Sequence, residues 1–109
     1  MQTDLDETKW EIDYQDEDHE REIIEKAYST TELKEKWGRF VEDVTQNPYF
    51  HPKHQRIVKL KDSTYPKGSR RYRNDPIRVV YYPEGKTKKV YPLDVGTATD
   101  IRYKKRSSK

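Results

Sequence analysis

The spacing of hydrophobic residues predicts one strand followed by two helices in the first half of the chain. Residues 9–14, KWEIDY, alternate apolar and polar positions with the period of a strand that buries one face. Residues 16–28 have carboxylates in their first turns, where the helix dipole favours anions, and an apolar stripe after them. A capping box at residues 29–32 predicts the start of a second helix, which Asn47-Pro48 ends. Helices joined so closely are expected to pack as an antiparallel hairpin.

The second half of the chain has the shorter period of β-strands. Residues 56–61 alternate imperfectly, and residues 69–82 predict a hairpin around the turn Asn74-Asp75-Pro76. Residues 88–95 predict the last strand. Its Pro92 has no N–H to donate and therefore indicates an edge position or a bulge.

The alternation also predicts which strand residues face the helices, because successive side chains of a strand point to opposite faces. The residues expected to face the helices are Tyr72, Ile77, Val79, Tyr81, Tyr91, Leu93 and Val95. This leaves Arg71, Arg73, Arg78 and Tyr82 on the other face of the sheet, here called the open face. Three arginines held together repel one another unless an anion joins them. The alternative is that Arg78 only pairs with Glu84 or Asp94 across the sheet.

Charge is divided unevenly along the chain. Residues 1–50 contain 6 Lys and Arg against 15 Asp and Glu, whereas residues 51–109 contain 17 against 5. A basic half of this kind is typical of proteins that bind a polyanion, most often nucleic acid. A plain solvated face is the alternative interpretation. The length predicts a single domain over residues 9–103, with a flexible acidic N-terminus at 1–8 and a flexible basic tail at 104–109.

Several classes of site and protein are excluded or disfavoured by the composition. The chain has no cysteine, which rules out disulfides, thiolate chemistry and Cys-based zinc sites. No apolar run approaches the roughly 20 residues of a membrane span, and the N-terminus is acidic, so we expect a soluble cytoplasmic protein. The helix dipole explains the carboxylates of the first helix better than a metal does. His51 and His54 could supply a general base, although loop histidines without a role are commoner.

The order of elements, together with four short motifs, resembles the RelE/ParE superfamily of toxins from type II toxin-antitoxin modules. The resemblance covers roughly residues 9–103 and implies an α+β fold of order β-α-α-β-β-β, with a helical hairpin packed on a small, mainly antiparallel sheet. The motifs are Asn47-Pro48, Lys59-Leu60-Lys61, RRYRNDPIRVVY from Arg70 to Tyr81, and Val90-Tyr91, Leu93 and Val95-Gly96 in the last strand.

What the resemblance implies about function is a ribosome-dependent endonuclease that cleaves messenger RNA without a metal or cofactor. Its expected partners are messenger RNA on the ribosome and a cognate antitoxin protein. The resemblance assigns catalytic roles to Arg71, Arg78 and Tyr103. It assigns RNA binding to Lys59, Lys61, Arg70, Arg73, Tyr82 and Lys104.

The sequence departs from the family after the closing Val95-Gly96. Many members have a His or Arg there, whereas this chain has Thr97, Ala98 and Thr99, none of which is positively charged. Arg102 or Lys104 could substitute for the missing cation. The alternatives are a ParE-like toxin that inhibits DNA gyrase and a non-catalytic RNA-binding module on the same fold.

Overall fold

Two helices pack on one five-stranded sheet. The computed structural model describes residues 9–53, 55–61 and 64–101. Its elements are β1 (Glu11–Ile12), α1 (Glu17–Ala27), α2 (Thr31–Gln46), β2 (Ile57–Lys59), β3 (Arg70–Asn74), β4 (Ile77–Glu84) and β5 (Lys89–Thr97). The strand order is β1-β5-β4-β3-β2; β1 runs parallel to β5, and the other neighbours are antiparallel. The predicted α+β class and mainly antiparallel sheet are confirmed.

The sheet has one strand more than the expected order β-α-α-β-β-β. Of residues 56–61, whose alternation is imperfect, only three form a strand. This strand, β2, lies at the edge of the sheet beside β3. No helix within the described ranges is long and apolar enough to cross a membrane. The predictions for residues 1–8 and 104–109 lie outside the described residues.

Both helices begin at a side-chain cap. Asp16 accepts a hydrogen bond from the backbone N–H of His19 at 2.8 Å, and Thr30 accepts one from Leu33 at 3.0 Å. The capping box predicted at residues 29–32 is wrong by one position, because the N-cap is Thr30. Leu33 therefore occupies the third helical position, from which the glutamate of a capping box would reach back.

The core lies between the helices and one face of the sheet, and Phe40 of α2 is at its centre. The ring of Phe40 lies 4.9 Å from Trp37, 5.1 Å from Tyr72 and 5.6 Å from Tyr81, measured between ring centroids. Burying an aromatic or aliphatic side chain of this size contributes about 1.5–3 kcal/mol. The buried cluster consists of Ile23, Ala27, Leu33, Trp37, Phe40, Val44, Tyr72, Ile77, Val79, Tyr81, Val90 and Val95.

A bulge in β5 changes the predicted faces of the last strand. Val80 lies opposite Asp94 but Tyr81 lies opposite Pro92, which leaves Leu93 as the extra residue. The bulge predicted at Pro92 is therefore confirmed. Because an extra residue reverses the alternation, Val90 and Pro92 are buried on the helix side before it, and Val95 after it.

The predicted helix-facing set is partly wrong for the same reason. Tyr72, Ile77, Val79, Tyr81 and Val95 are buried in the core as predicted. Tyr91 instead lies opposite Tyr82 on the open face, and Leu93 is the unpaired residue of the bulge. Neither Tyr91 nor Leu93 belongs to the buried cluster.

Two buried phenols connect the sheet to the end of α2. Tyr81 donates a hydrogen bond to the backbone carbonyl of Pro48 at 2.6 Å, and Tyr72 donates one to the Asp43 carboxylate at 2.7 Å. Burial raises the pKa of both phenols, that of Tyr72 to about 12. The Asn47-Pro48 segment is thereby held against β4.

The Tyr81→Phe variant shows how much the hydrogen bond from Tyr81 to the Pro48 carbonyl stabilises the fold. The Tyr81→Phe variant leaves the Pro48 carbonyl without its donor, so we expect the free energy of unfolding to fall by about 1–3 kcal/mol. Tyr28→Phe is the matched control, because Tyr28 is 47% exposed, and it should change stability by less than about 0.5 kcal/mol. Urea denaturation followed by circular dichroism gives both values. Equal stability of the two variants would contradict the assigned role of the Tyr81 hydroxyl.

Candidate phosphate-binding site at the arginine hairpin

Arg73 and Arg78 are direct neighbours at the end of the β3–β4 hairpin. They are cross-strand partners on either side of the turn Asp75-Pro76, whose peptide bond is cis. The next pair, Tyr72 and Val79, is buried in the core. Since alternate pairs of a ladder point to opposite faces, both arginines lie on the open face.

One carboxylate oxygen joins the two guanidinium groups. Asp75 Oδ1 lies 2.8 Å from Arg78 Nη1 and 3.6 Å from Arg73 Nε. The hydrogen bond from Arg78 is the main reason why the pKa of the Asp75 carboxyl is lowered. The Asp75 side chain is 70% exposed, whereas that of Arg78 is 12% exposed. An anion therefore does join the arginines, and it comes from the turn itself.

The alternative prediction, that Arg78 pairs with Glu84 or Asp94, is wrong. Neither Glu84 nor Asp94 pairs with it: Glu84 accepts hydrogen bonds from the backbone and hydroxyl of Thr87 at 2.9 and 2.7 Å. The Asp94 carboxylate lies 3.5 Å from Lys26 of α1. The sequence carried a signal for the true partner, because an aspartate in a two-residue turn lies close to both flanking strands.

Arg71 and Tyr82 share the open face with this pair, as predicted. Arg71 lies opposite Val80, and Tyr82 lies opposite Tyr91. Arg71 donates a hydrogen bond from Nη2 to the Gln55 carbonyl at 2.9 Å. Its Nε is buried and has no hydrogen-bond partner among the residues that the structure describes. The Nε of Arg70, on the helix side of the sheet, is buried in the same way, so a buried Nε does not by itself mark a ligand site.

The loop before β3 covers the middle of the open face. Tyr65 donates a hydrogen bond to Asp94 of β5 at 3.2 Å, and Val80, the cross-strand neighbour of Asp94, is fully buried. Gly68 has a φ of +97°, and a Cβ at that position would lie 3.1 Å from the Tyr82 ring. The hairpin end of this face, with Arg73 and Arg78, lies outside the part that these two contacts cover. Hydrophobic periodicity does not indicate this crossing, because the described part of the loop has no regular secondary structure.

Arg70 and Lys59 do not belong to the same surface. They lie opposite each other, and Arg70 also lies opposite the core residue Tyr81, so both are on the helix side of the sheet. The Arg70 guanidinium stacks on the Tyr49 ring at 4.9 Å from its centroid. The RNA-binding role expected of Lys59 and Arg70 stays a prediction, and it would involve the face of the sheet opposite to Arg73 and Arg78. Lys61 is exposed beyond β2, and Tyr103 and Lys104 lie outside the described residues.

The segment after Gly96 approaches Arg78 but brings it no cation. Gly96 is the cross-strand partner of Arg78. The Asp100 carboxylate accepts hydrogen bonds from the backbone and hydroxyl of Thr97 at 3.0 and 3.1 Å, and the backbone bond is the main cause of its lowered pKa. No residue in the described part of this segment, 97–101, is positively charged.

His51 is engaged through both ring nitrogens. Its Nδ1 accepts the backbone N–H of Lys53 at 2.9 Å, and its Nε2 lies 3.2 Å from the Asp43 carboxylate. These contacts place the proton of the neutral ring on Nε2 and leave no nitrogen free to act as a base. His54 lies outside the described residues. Within the described ranges no three His, Asp or Glu side chains converge as a metal site would require.

Removing the internal carboxylate should expose the arginine pair. In Asp75→Asn the two guanidinium groups lose their anion, so we expect affinity for inorganic pyrophosphate to rise roughly two- to fivefold. Isothermal titration calorimetry at low salt measures the change. Asp18→Asn removes an exposed carboxylate that pairs with Arg21 on α1 and should leave the affinity unchanged. Equal gains in both variants would mean that only net charge matters.

Two comparisons with known proteins, by family model and by curated sequence, leave the chain without an assigned family. No family model matches it, and no curated protein matches it significantly. What the site can do therefore has to follow from its geometry and charge.

Proposed function

We propose that this protein is a RelE-like toxin that binds messenger RNA on the ribosome and cleaves it without a metal ion. The observation that carries the proposal is the convergence of Arg73 and Arg78 on one exposed oxygen of Asp75. The coarse α+β class, with two helices packed on a mainly antiparallel sheet that carries the arginine hairpin, supports the proposal. A separate antitoxin would restrain the toxin by covering these arginines.

The arginine pair suits a phosphate group. Guanidinium groups bind phosphate oxygens through charge-assisted hydrogen bonds, and two of them beside one point, here through Arg78 Nη1 and Arg73 Nε, favour an anion at that point. The Asp75 oxygen stands where a phosphate oxygen would lie, and its exposure allows an incoming phosphate to displace it. Arg71 lies on the same face, opposite Val80 and two pairs further along the ladder.

The same groups suit cleavage by the RNA's own 2′-hydroxyl. Attack of that oxygen on the adjacent phosphorus breaks the bond to the 5′-oxygen of the next nucleotide and places additional negative charge on the phosphorane. Fixed cations stabilise such charge, and removing one such donor typically costs on the order of 100-fold in rate. The attacking 2′-hydroxyl passes its proton to solvent, and Tyr103, which the resemblance assigns to catalysis, would donate a proton to the leaving 5′-oxygen.

Cleavage of messenger RNA on purified ribosomes tests the proposal. We expect the wild-type protein to cut ribosome-bound messenger RNA in the presence of EDTA. In Arg78→Lys the charge remains but the planar fork is lost, so the rate should fall on the order of 100-fold. Arg21→Lys is the matched control, because Arg21 forms an exposed ion pair on α1, and its rate should equal that of the wild type.

The possible outcomes distinguish a nuclease, a non-catalytic RNA-binding protein and a protein that binds neither ribosomes nor RNA. Equal cleavage by Arg78→Lys, with an unchanged thermal midpoint, would remove Arg78 from the site. Salt-dependent retention of RNA without any product would replace the nuclease with a non-catalytic RNA-binding protein. Failure of the wild-type protein to bind ribosomes or RNA would overturn the proposal as a whole.

A further inference from the structure

A second group of cations surrounds a cleft at the start of β2. The main part of the cleft, about 520 Å³, is lined by Lys53, Gln55, Arg56, Arg73, Asn74 and Asp75. An adjoining part of about 290 Å³ shares Lys53, Arg56 and Asn74 and adds Glu35, Lys36 and Arg39 of α2. The five cations Lys36, Arg39, Lys53, Arg56 and Arg73 define what is here called the basic cleft.

Three separate segments bring these cations together. The backbone N–H of Arg73 donates to the carbonyl of Arg56 at 2.8 Å, which holds the approach to β2 beside the end of β3. The N–H of Arg56 donates in turn to the Lys53 carbonyl at 3.1 Å, so that Lys53 and Arg56 lie on one turn. From α2, the Lys36 ammonium lies 3.5 Å from the side-chain oxygen of Asn74.

Most of this charge is not neutralised by the protein. Arg73 lies 3.6 Å from Asp75, and Arg39 lies 3.9 Å from Glu42. Within the part of the chain that the structure describes, Lys36, Lys53 and Arg56 form no ion pair with a carboxylate. Two carboxylates, Glu35 and Asp75, also line the cleft, so its five cations leave a net charge of +3. Such an excess of cations creates a positive potential that attracts a polyanion.

The lining of the cleft favours a phosphate backbone over a nucleotide cofactor. Pockets for small ligands are mostly apolar and aromatic, with a few polar groups that orient the ligand. None of the described residues that line the basic cleft is apolar or aromatic. A surface of this composition contacts phosphates and does not read bases.

We propose that the basic cleft binds the phosphodiester backbone of the same RNA strand, beyond the phosphate at the arginine hairpin. The strand would pass from Arg78 through Arg73, which is 47% exposed and lines the cleft, to Lys53 and Arg56 and on towards α2. This inference rests on the proposed function, because Arg73 belongs to both surfaces. Binding in the cleft is independent of sequence.

The double variant Lys53→Gln/Arg56→Gln tests the cleft. Fluorescence anisotropy would follow binding of a labelled single-stranded RNA of about 12 nucleotides at roughly 50 to 200 mM salt. Loss of two phosphate contacts should reduce the salt slope by about 1.4 and the affinity on the order of tenfold. Lys86→Gln/Arg21→Gln is the matched control, because it removes the same charge from exposed positions outside the cleft. Lys53→Arg/Arg56→Lys keeps both charges and should bind as the wild type does.

Arg71→Gln/Arg78→Gln, measured beside it, separates this inference from the proposed function, because neither residue lines the cleft, whereas Arg73 does. If the cleft variant binds like its control while this open-face variant loses affinity, the cleft is not part of the path and the proposed function stands. If only the cleft variant loses affinity, the cleft is supported and the assignment of the open-face arginines fails. Absence of RNA binding by the wild-type protein would overturn both. Preferential binding of free tripolyphosphate over RNA would also overturn the cleft proposal.

Discussion

The packing of Phe40 against Tyr72 and Tyr81 determines which way the arginine hairpin faces. Both tyrosines are fully buried and hydrogen-bonded to the end of α2, so the register of β3 and β4 is fixed from the helix side. Because a strand alternates its side chains, burying Tyr72 turns Arg71 and Arg73 away from the helices. A slip of one residue would bury the arginines and expose the core. The apolar packing around Phe40 therefore determines on which face of the sheet the arginines lie.

The parts of the site that follow from local periodicity could be predicted from the sequence. Alternation alone placed Arg71, Arg73 and Arg78 on one face. The same rule places Arg70 on the other face, since it directly precedes Arg71. The RNA-binding role expected of Arg70 rests on the motif resemblance alone. The bulge was signalled by Pro92, yet the sequence does not show on which side of a proline the extra residue falls, and Tyr91 was therefore assigned to the wrong face.

The remaining parts depend on contacts between distant segments, which periodicity does not encode. Tyr65 reaches Asp94 across β4, and His51 and Tyr72 both contact the Asp43 carboxylate of α2. Likewise, the basic cleft draws its cations from a helix, a turn and a strand end, so no continuous motif in the sequence marks it. The cleft forms because the fold brings these three segments together beside β2.

The short turn that carries Asp75 also has a consequence for selectivity. A carboxylate tethered beside two guanidinium groups competes with any ligand at a constant effective concentration, which for short tethers is on the order of millimolar. Under the proposed function, Asp75 would outcompete a single phosphate ion below that concentration. A polymer already held at neighbouring cations would present its phosphate at a comparable local concentration and could replace Asp75. The turn would then favour chains of phosphates over isolated ones.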